Sequence, residues 1–304
     1  MIRFVSIGDL VTDVYYNKEL KLIGLDGGIT SHNIICNLQS MGFNTFAFGA
    51  CGDDYFGRVS INSLKDCGVK SDIYIDKNIN TKAYHIRNIL VNGKLCYKSI
   101  MYCPYCKKSS WYDESYINET NILSKIRKDD VLVFDNLNSK NQFIVDNTLN
   151  TKLLDLGLFT EFENLDKEKI IYKLRNKFEI INLNERVEKY LLKRLNCKTD
   201  IDLFYTLNAK LITITRGKNG NDFIFEGQIY SFSIKEVIDE VDDSGAGDAF
   251  FSVIIKEYFK NNKKISKGDI EQWFNKTIPY VKKILLQVGS RAHIKELYTL
   301  ESII

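Results

Sequence analysis

The sequence has few prolines and little net charge, and its composition is that of an ordinary globular protein. It contains only 2 prolines in 304 residues, so proline does not rigidify its loops. Its 42 basic and 39 acidic side chains leave a net charge of only +3, which is too small to indicate binding to nucleic acid or to a membrane. Any anionic ligand must therefore be held by local features of the chain.

Long hydrophobic runs are also missing. The apolar stretch at residues 4–7 is too short for a signal peptide, and Asp9 follows it closely. No later stretch has the uncharged length needed to span a bilayer. We therefore expect a cytoplasmic protein whose 7 cysteines are reduced thiols, and their odd number also argues against a fully paired disulfide framework.

What the sequence does contain is an alternation of short buried strands and amphipathic helices. Continuous β-branched runs are typical of strands covered on both faces, as in a largely parallel sheet. Such runs occur at residues 4–7, 131–134, 152–155, 179–181 and 211–214. Helical periodicity lies between them, at residues 31–41, 166–177 and 249–260. This pattern predicts a layered α/β domain.

Two regions break the alternation. Residues 14–27 are polar and extended, and residues 72–103 contain consecutive strand-like runs. Asn92-Gly93 stands between two of those runs, which is a strong signal for a β-hairpin. We expect the two regions to form a small β-sheet lid on a single domain that spans residues 1–304.

The strongest motif lies at residues 240–250, where a strand end leads into an apolar helix. The small residues Gly245, Ala246 and Gly247 would let a phosphate approach the unpaired N–H groups at the start of that helix. Asp248 follows in the first turn, where its carboxylate can accept a proton from an attacking hydroxyl group. The alternative is an acidic helix cap without a ligand.

Residues 242–250 resemble the C-terminal signature of the ribokinase-like (PfkB) carbohydrate kinases. The resemblance implies a three-layer α/β/α sandwich with a mostly parallel central sheet and a small β-sheet lid. It also implies that Gly245, Ala246 and Gly247 form an anion hole for the transferred phosphoryl group. Asp248 would then be the catalytic base.

The N-terminal half is similar to the first signature of the same family. Gly27-Gly28 precede a helix that opens near Asn33, and in the family the matching residues contact substrate hydroxyls. Asp13 stands where the family has a substrate-binding carboxylate, which can accept hydrogen bonds from two hydroxyls. The loop before Asn33 is one residue longer than usual, and Val11 replaces the asparagine of ribokinase itself. Both departures leave the substrate open.

The nucleotide side of the resemblance is looser. Thr215, Gly217 and Gly220 match a turn that approaches ATP in the family, and Asn184 matches a residue that organises water around Mg²⁺. Glu185 is a candidate substitute for the acid of that motif. The implied cofactors are ATP and Mg²⁺, with the ion held through phosphates and water rather than by a protein cage. A monovalent cation is a further candidate cofactor.

A Cys-x-x-Cys segment occupies residues 103–106. Structural zinc needs four ligands, so reduced thiols are favoured over a metal site, although Cys96 and His85 lie nearby in the sequence. The segment does not open a helix after a strand, which argues against thioredoxin-like chemistry.

The sequence thus predicts an ATP-dependent phosphotransferase that acts on a hydroxyl of a small sugar or sugar-like molecule. A nucleoside kinase of the same family is the first alternative. A sugar or nucleotide sensor without catalysis is the second. The resemblance also implies a homodimer formed through the lid.

Overall fold

The computed structural model describes residues 2–91, 94–100, 102–108, 115–157, 160–235, 238 and 240–299. The first half of the chain forms β1 (Arg3–Asp9), β2 (Val11–Tyr16), β3 (Leu22–Gly27), α1 (Thr30–Ser40), β4 (Asn44–Gly52), α2 (Tyr55–Asp66), β5 (Lys70–Asp76), β6 (Lys82–Val91) and β7 (Lys94–Ile100). The second half forms α3 (Glu119–Lys125), β8 (Asp130–Phe134), α4 (Ser139–Asp146), β9 (Thr151–Leu156), α5 (Lys167–Leu174), β10 (Ile180–Asn184), α6 (Glu185–Leu195), α7 (Asp200–Leu207), β11 (Leu211–Thr215), β12 (Asn221–Phe225), β13 (Gln228–Phe232), α8 (Ala246–Lys260) and α9 (Lys267–Leu285).

The larger sheet has nine strands in the order β13-β12-β11-β10-β9-β8-β1-β4-β5. The strands from β5 to β11 in that order are parallel, and β12 and β13 add an antiparallel edge. The five apolar runs found in the sequence are β1, β8, β9, β10 and β11, which are adjacent in the sheet. Their apolar residues follow one another instead of alternating with polar ones, because both faces of a central strand are covered.

Helices cover the two faces of this sheet. One face packs against α3 to α7 through buried residues such as Ile122, Leu174 and Leu191. The other packs against α1, α8 and α9 through residues such as Ile34 and Phe251. The predicted three-layer sandwich is confirmed, and the three helical stretches predicted from the sequence correspond to α1, α5 and α8.

A second sheet has four strands in the order β3-β2-β6-β7. It contains most of the predicted lid, but residues 72–76 lie in β5, at the edge of the larger sheet. The reason is that the chain leaves β4, passes through α2 and returns parallel to β4, which extends the main sheet. The Asn92-Gly93 turn lies outside the described residues.

The segment after α9 ties the two sheets together. Tyr298 forms an antiparallel bridge with Leu25 on β3, and Lys295 pairs with Asp26 at 3.0 Å. This segment therefore covers the outer edge of the small sheet.

Across the described part of the chain, no helix combines the length and the apolar character that crossing a membrane requires.

Candidate active site

The helix α8 begins at Ala246, at the position where the sequence predicts a helix N-terminus. Gly245 caps it with a φ of 80°, in the left-handed region that favours glycine. A Cβ at Gly245 would also lie 2.7 Å from the Cβ of Ser290. The Asp242 carboxylate accepts the N–H of Ser244 and the N–H of Gly289, both at 2.9 Å. These contacts fix the loop that presents the helix N-terminus.

Asp248 lies in the first turn of α8 and is buried. Its Oδ2 accepts a hydrogen bond from Nδ2 of Asn33 at 2.7 Å. Burial raises the pKa of Asp248 to about 6, and hydrogen bonds from Asn33 and Thr30 oppose that rise. A carboxylate with a pKa just below neutrality is suited to accept a proton at neutral pH.

Gly247 supplies the open space beside this carboxylate. A Cβ built at Gly247 would meet no atom of the described residues within 4 Å. The first turn of an α-helix leaves backbone N–H groups unpaired and carries partial positive charge. An anionic group can therefore approach the N-terminus of α8 next to Asp248.

Asp13 and the glycine pair meet on the substrate side. Asp13 is on β2, and a Cβ at Gly28 would lie 2.3 Å from its Oδ1, so only glycine permits this approach. Burial raises the pKa of Asp13 to about 8; the positive charge of Arg291 opposes this rise, and the negative charge of Asp26 adds to it. Asp13 is thus held close to Gly28 at a large electrostatic cost.

The backbone between Gly28 and Asn33 is strained at Ile29, which has a φ of 69° and a ψ of 134°. Such a conformation is rare for a β-branched residue. The helix α1 begins immediately afterwards, at Thr30, and carries Asn33 toward Asp248. Strained residues cluster at ligand sites, which agrees with the position of this longer loop.

Arg291 is a site residue that the sequence did not indicate. Its side chain is buried and donates to Oδ1 of Asn33 at 2.9 Å, to Oγ of Ser63 at 2.8 Å and to the carbonyl of Gly28 at 3.0 Å. Asn33 therefore accepts from Arg291 and donates to Asp248. No periodic pattern or motif singles out this arginine; its only signal is the Gly289-Ser290 turn before it.

Two further carboxylates lie at the ends of adjacent strands. Asp135 follows β8 and accepts the N–H of Ser31 at 2.9 Å, and Asp155 on β9 accepts from Nδ2 of Asn182 at 3.0 Å. Burial raises the pKa of both groups, and the charge of Asp248 adds to the rise for Asp155. Within the described ranges, no three or more His, Cys, Asp and Glu side chains are arranged to hold a metal ion.

The nucleotide-side residues lie at the same edge of the sheet. Asn184 and Thr215 end β10 and β11 and are register partners. Asn184 caps α6, because its Oδ1 accepts the N–H of Val187 at 2.9 Å while its Nδ2 donates to the carbonyl of Gly157 at 2.8 Å. Both groups of this amide therefore have protein partners, and its role towards ATP stays a prediction.

The turn after β11 contains the two predicted glycines. Gly217 opens a short 3₁₀ turn, and Gly220 closes it before β12. Oε1 of Glu185 pairs with Nζ of Lys189 at 2.6 Å and lies 3.9 Å from the guanidinium of Arg216, next to Gly217. The structure places Asp13 against Gly28 and Asn33 against Asp248, and Arg291 links the two pairs through its bonds to the Gly28 carbonyl and to Asn33. Among the hydrogen bonds and ion pairs of the described residues, none joins this group to Thr215, Gly217 or Gly220.

The fold is that of the ribokinase-like kinases. Residues 3–267 match the model of the pfkB family of carbohydrate kinases. The chain belongs to the pfkB family, whose members are phosphotransferases. No curated protein matches the sequence.

Solved kinases share the fold at low sequence identity. The nucleoside kinase of Methanocaldococcus jannaschii, an archaeal member of the ribokinase family, has a TM-score of 0.71 and 12% identity over 100% of this chain and 97% of that chain. Aminoimidazole riboside kinase from Salmonella enterica, complexed with aminoimidazole riboside and an ATP analogue, has a TM-score of 0.71 and 16% identity over 96% of both chains. Fructokinase of Vibrio cholerae O395, a double mutant with fructose, ADP and potassium ion bound, has a TM-score of 0.71 and 16% identity over 97% of this chain and 96% of that chain. At these identities the likeness shows the fold alone.

Proposed function

We propose that the protein transfers the γ-phosphoryl group of ATP to a hydroxyl group of a small sugar or sugar-like substrate. The observation that carries the proposal is the hydrogen bond from Asn33 to Asp248, 2.7 Å long, at the N-terminus of α8. It joins the predicted base directly to Asn33, one of the predicted substrate residues. Family membership and the fold support the same reaction class.

The substrate hydroxyl would approach Asp248 from the side of Asn33. Asp248 accepts its proton as the oxygen attacks phosphorus, and the N–H groups at the start of α8 stabilise the charge on the transferred group. Gly247 leaves the space that this group needs. Asp13 and the amide of Asn33 hold the other hydroxyls, because carboxylate and amide groups form directional hydrogen bonds with them.

ATP would lie along the carboxyl ends of β10 and β11, near Thr215, Gly217 and Gly220. In open α/β sheets, ligands bind beyond the carboxyl ends of the strands. Mg²⁺ neutralises phosphate charge during phosphoryl transfer, and it would reach this protein through phosphate oxygens and water. The buried carboxylates of Asp135 and Asp155 face the same region.

The aromatic residues beside Asp13 do not favour a nucleoside over a sugar. Tyr15 and Tyr97 pack edge to face with ring centroids 6.2 Å apart. Both rings are buried, where they form a cluster with Ile86 and contact Val288 and Leu297. Their faces are thus used within the protein, whereas nucleoside recognition by stacking needs an accessible ring face.

The test is ATP consumption, coupled to the detection of ADP, across free sugars, sugar phosphates, sugar acids and nucleosides. We expect turnover with at least one sugar-like compound. The Asp248→Asn variant should bind that compound and lose turnover on the order of 10²- to 10⁴-fold, the contribution of general-base catalysis.

Asp72→Asn is the matched control, because this half-exposed carboxylate on β5 forms an ion pair with Lys125 of α3, outside the site. It should retain wild-type turnover. Full activity of Asp248→Asn would show that Asp248 is not the catalytic base. If a sugar and ATP both stabilise the protein thermally but no compound is turned over, the protein is a sensor rather than a kinase.

A further inference from the structure

The Cys103–Cys106 turn, residues 103–108, is a feature that the kinase reaction leaves unused. The N–H of Lys107 donates to the carbonyl of Cys103 at 3.0 Å, and the N–H of Cys103 donates to the carbonyl of Lys108 at 2.9 Å. Cys103 and Cys106 therefore lie within one tight turn of the backbone. Cys103 is half-buried and Cys106 is exposed, so the pair is within reach of a small molecule.

The turn is docked on the small sheet by aromatic side chains. The hydroxyl of Tyr105 donates to the carbonyl of Leu20, between β2 and β3. The ring of Tyr105 meets Tyr16 edge to face, with centroids 6.0 Å apart. The Tyr16 hydroxyl also lies 3.0 Å from Nδ1 of His85. The turn that carries both cysteines is therefore docked at one place on the small sheet.

The surroundings of Cys103 favour its thiolate form. Burial on its own would raise the pKa of Cys103, but hydrogen bonds from the N–H groups of Cys106 and Tyr105, from the Cys106 thiol, and the charge of Lys107 together lower it. The sequence disfavours thioredoxin-like chemistry, because no helix begins at this segment. The turn itself supplies the N–H groups that a helix N-terminus provides in other Cys-x-x-Cys sites.

We propose that Cys103 and Cys106 form a reversible dithiol–disulfide site, with Cys103 as the nucleophile towards a small-molecule disulfide. The Cys103 thiolate attacks one sulfur of that disulfide, which forms a mixed disulfide and releases one small thiol. Cys106 then loses its proton to solvent and attacks the Cys103 sulfur. The Cys103–Cys106 bond forms and the second small thiol leaves, so two protein thiols are oxidised while one small disulfide is reduced.

The other described cysteines provide internal comparisons. Cys36, Cys51 and Cys67 are buried. Cys197 is half-exposed like Cys103, and its Sγ lies 3.5 Å from the hydroxyl of Thr206. Cys197 therefore tests whether reactivity follows exposure alone.

The first experiment is brief alkylation of the native protein with iodoacetamide at neutral pH, followed by peptide mass mapping. Cys103 should react at least about tenfold faster than Cys197, because the thiolate is the reactive form. Trypsin cleavage after Lys98 and Lys107 releases residues 99–107, which contain Cys103 and Cys106 and no other cysteine. After treatment with oxidised glutathione, this peptide should lose two hydrogens, and dithiothreitol should restore them.

Two variants assign the roles. Cys106→Ser should accumulate one glutathione on Cys103, because the second step is removed. Cys103→Ser should give neither product. The proposal is overturned by equal alkylation of Cys103 and Cys197, or by a 99–107 peptide that keeps both thiols in oxidised glutathione. Neither readout involves phosphoryl transfer, so these outcomes are independent of the proposed kinase reaction.

Discussion

Asp248 combines two requirements that oppose each other, because a base must be ionised while its burial favours the neutral acid. With a pKa of about 6, it is mostly ionised at neutral pH and becomes protonated as the pH falls. We expect kcat, measured at saturating substrate, to be level above about pH 7. It should fall tenfold per pH unit well below about pH 6, since only the ionised form accepts the hydroxyl proton.

The control for this pH profile is the residual activity of Asp248→Asn. An amide does not titrate, so the decrease at low pH should be missing from that variant. A wild-type profile that stays level down to about pH 4, near the ordinary pKa of an aspartate, would show that Asp248 is not the base.

Asp13 illustrates the cost of a preorganised substrate site. Its pKa is about 8 in the folded protein and near 3.8 when unfolded, so the folded state binds the proton more tightly between these values. Stability from this group is complete below about pH 4 and is lost as the pH rises through 8. Asp13→Asn should therefore raise the free energy of unfolding of the ligand-free protein at about pH 9, by an amount on the order of a few kcal/mol.

Urea unfolding of wild type and Asp13→Asn at about pH 4 and about pH 9 measures this difference. The stability gain should be small at the lower pH and large at the higher one, while substrate affinity falls at both. A variant that is equally destabilised at both pH values would show that Arg291 compensates the Asp13 charge fully.

At the residue scale, the sequence identified site residues that belong to a motif with fixed spacing. It did not identify contacts between residues that are far apart in the chain. Asp248 and Asn33 were both identified, but not their contact, which joins residues 215 positions apart. Arg291 was missed because its partners Asn33, Ser63 and Gly28 lie more than 200 residues away. A local sequence pattern does not predict contacts between residues so far apart in the chain.

At the scale of elements, the N-terminus of α8 separates a folding requirement from a catalytic one. Gly245→Ala would force a side chain into the left-handed region and place its Cβ 2.7 Å from Ser290, at a cost of about 1–3 kcal/mol. Gly247→Ala meets open space and should leave the free energy of unfolding unchanged or slightly higher. Its methyl group would occupy the approach of the phosphoryl group, so turnover should fall on the order of 100-fold.

Thermal unfolding and turnover of both variants distinguish the two roles. Gly245→Ala should lose stability as well as activity, whereas Gly247→Ala should lose activity alone. If Gly247→Ala keeps wild-type turnover, the transferred group does not pass over this glycine.

The predicted elements also show where strand patterns mislead. The five central strands were found because two-sided burial produces continuous apolar runs. Residues 72–76 were assigned to the lid because they begin a stretch of consecutive strand-like runs; in the structure they form β5, whose Tyr74 and Ile75 are exposed. An edge strand of a parallel sheet and a strand of a small separate sheet look alike in sequence, and only the path through α2 distinguishes them.

At the scale of the whole molecule, the homodimer through the small sheet stays a prediction. Leu25 on the edge strand β3 already exchanges both backbone hydrogen bonds with Tyr298. A second chain would therefore have to meet the β7 side of the sheet or its exposed face, where Ile23 and Tyr84 are each 38% exposed.

The segment after α9 gives the whole-molecule prediction, because it links the catalytic helix to the substrate side. Gly289 donates to Asp242 beside α8, Arg291 reaches Asn33, and Lys295 pairs with the buried Asp26. Deleting residues 287–304 would leave buried carboxylates without their cations, and removing one partner of a buried pair costs about 3–5 kcal/mol. We expect the deletion to lower the free energy of unfolding and to abolish turnover.

The Arg291→Gln variant is the milder change to compare with this deletion, because it alters one residue of the segment. It removes the contact to Asn33 but keeps the Lys295–Asp26 pair and the Tyr298 bridge, so its loss of stability should be smaller. Its turnover should still fall, because the Asn33 amide is no longer fixed towards Asp248. Urea unfolding and turnover of the two variants measure this order. A deletion that unfolds like wild type would mean that the two sheets hold the active site together without the C-terminal segment.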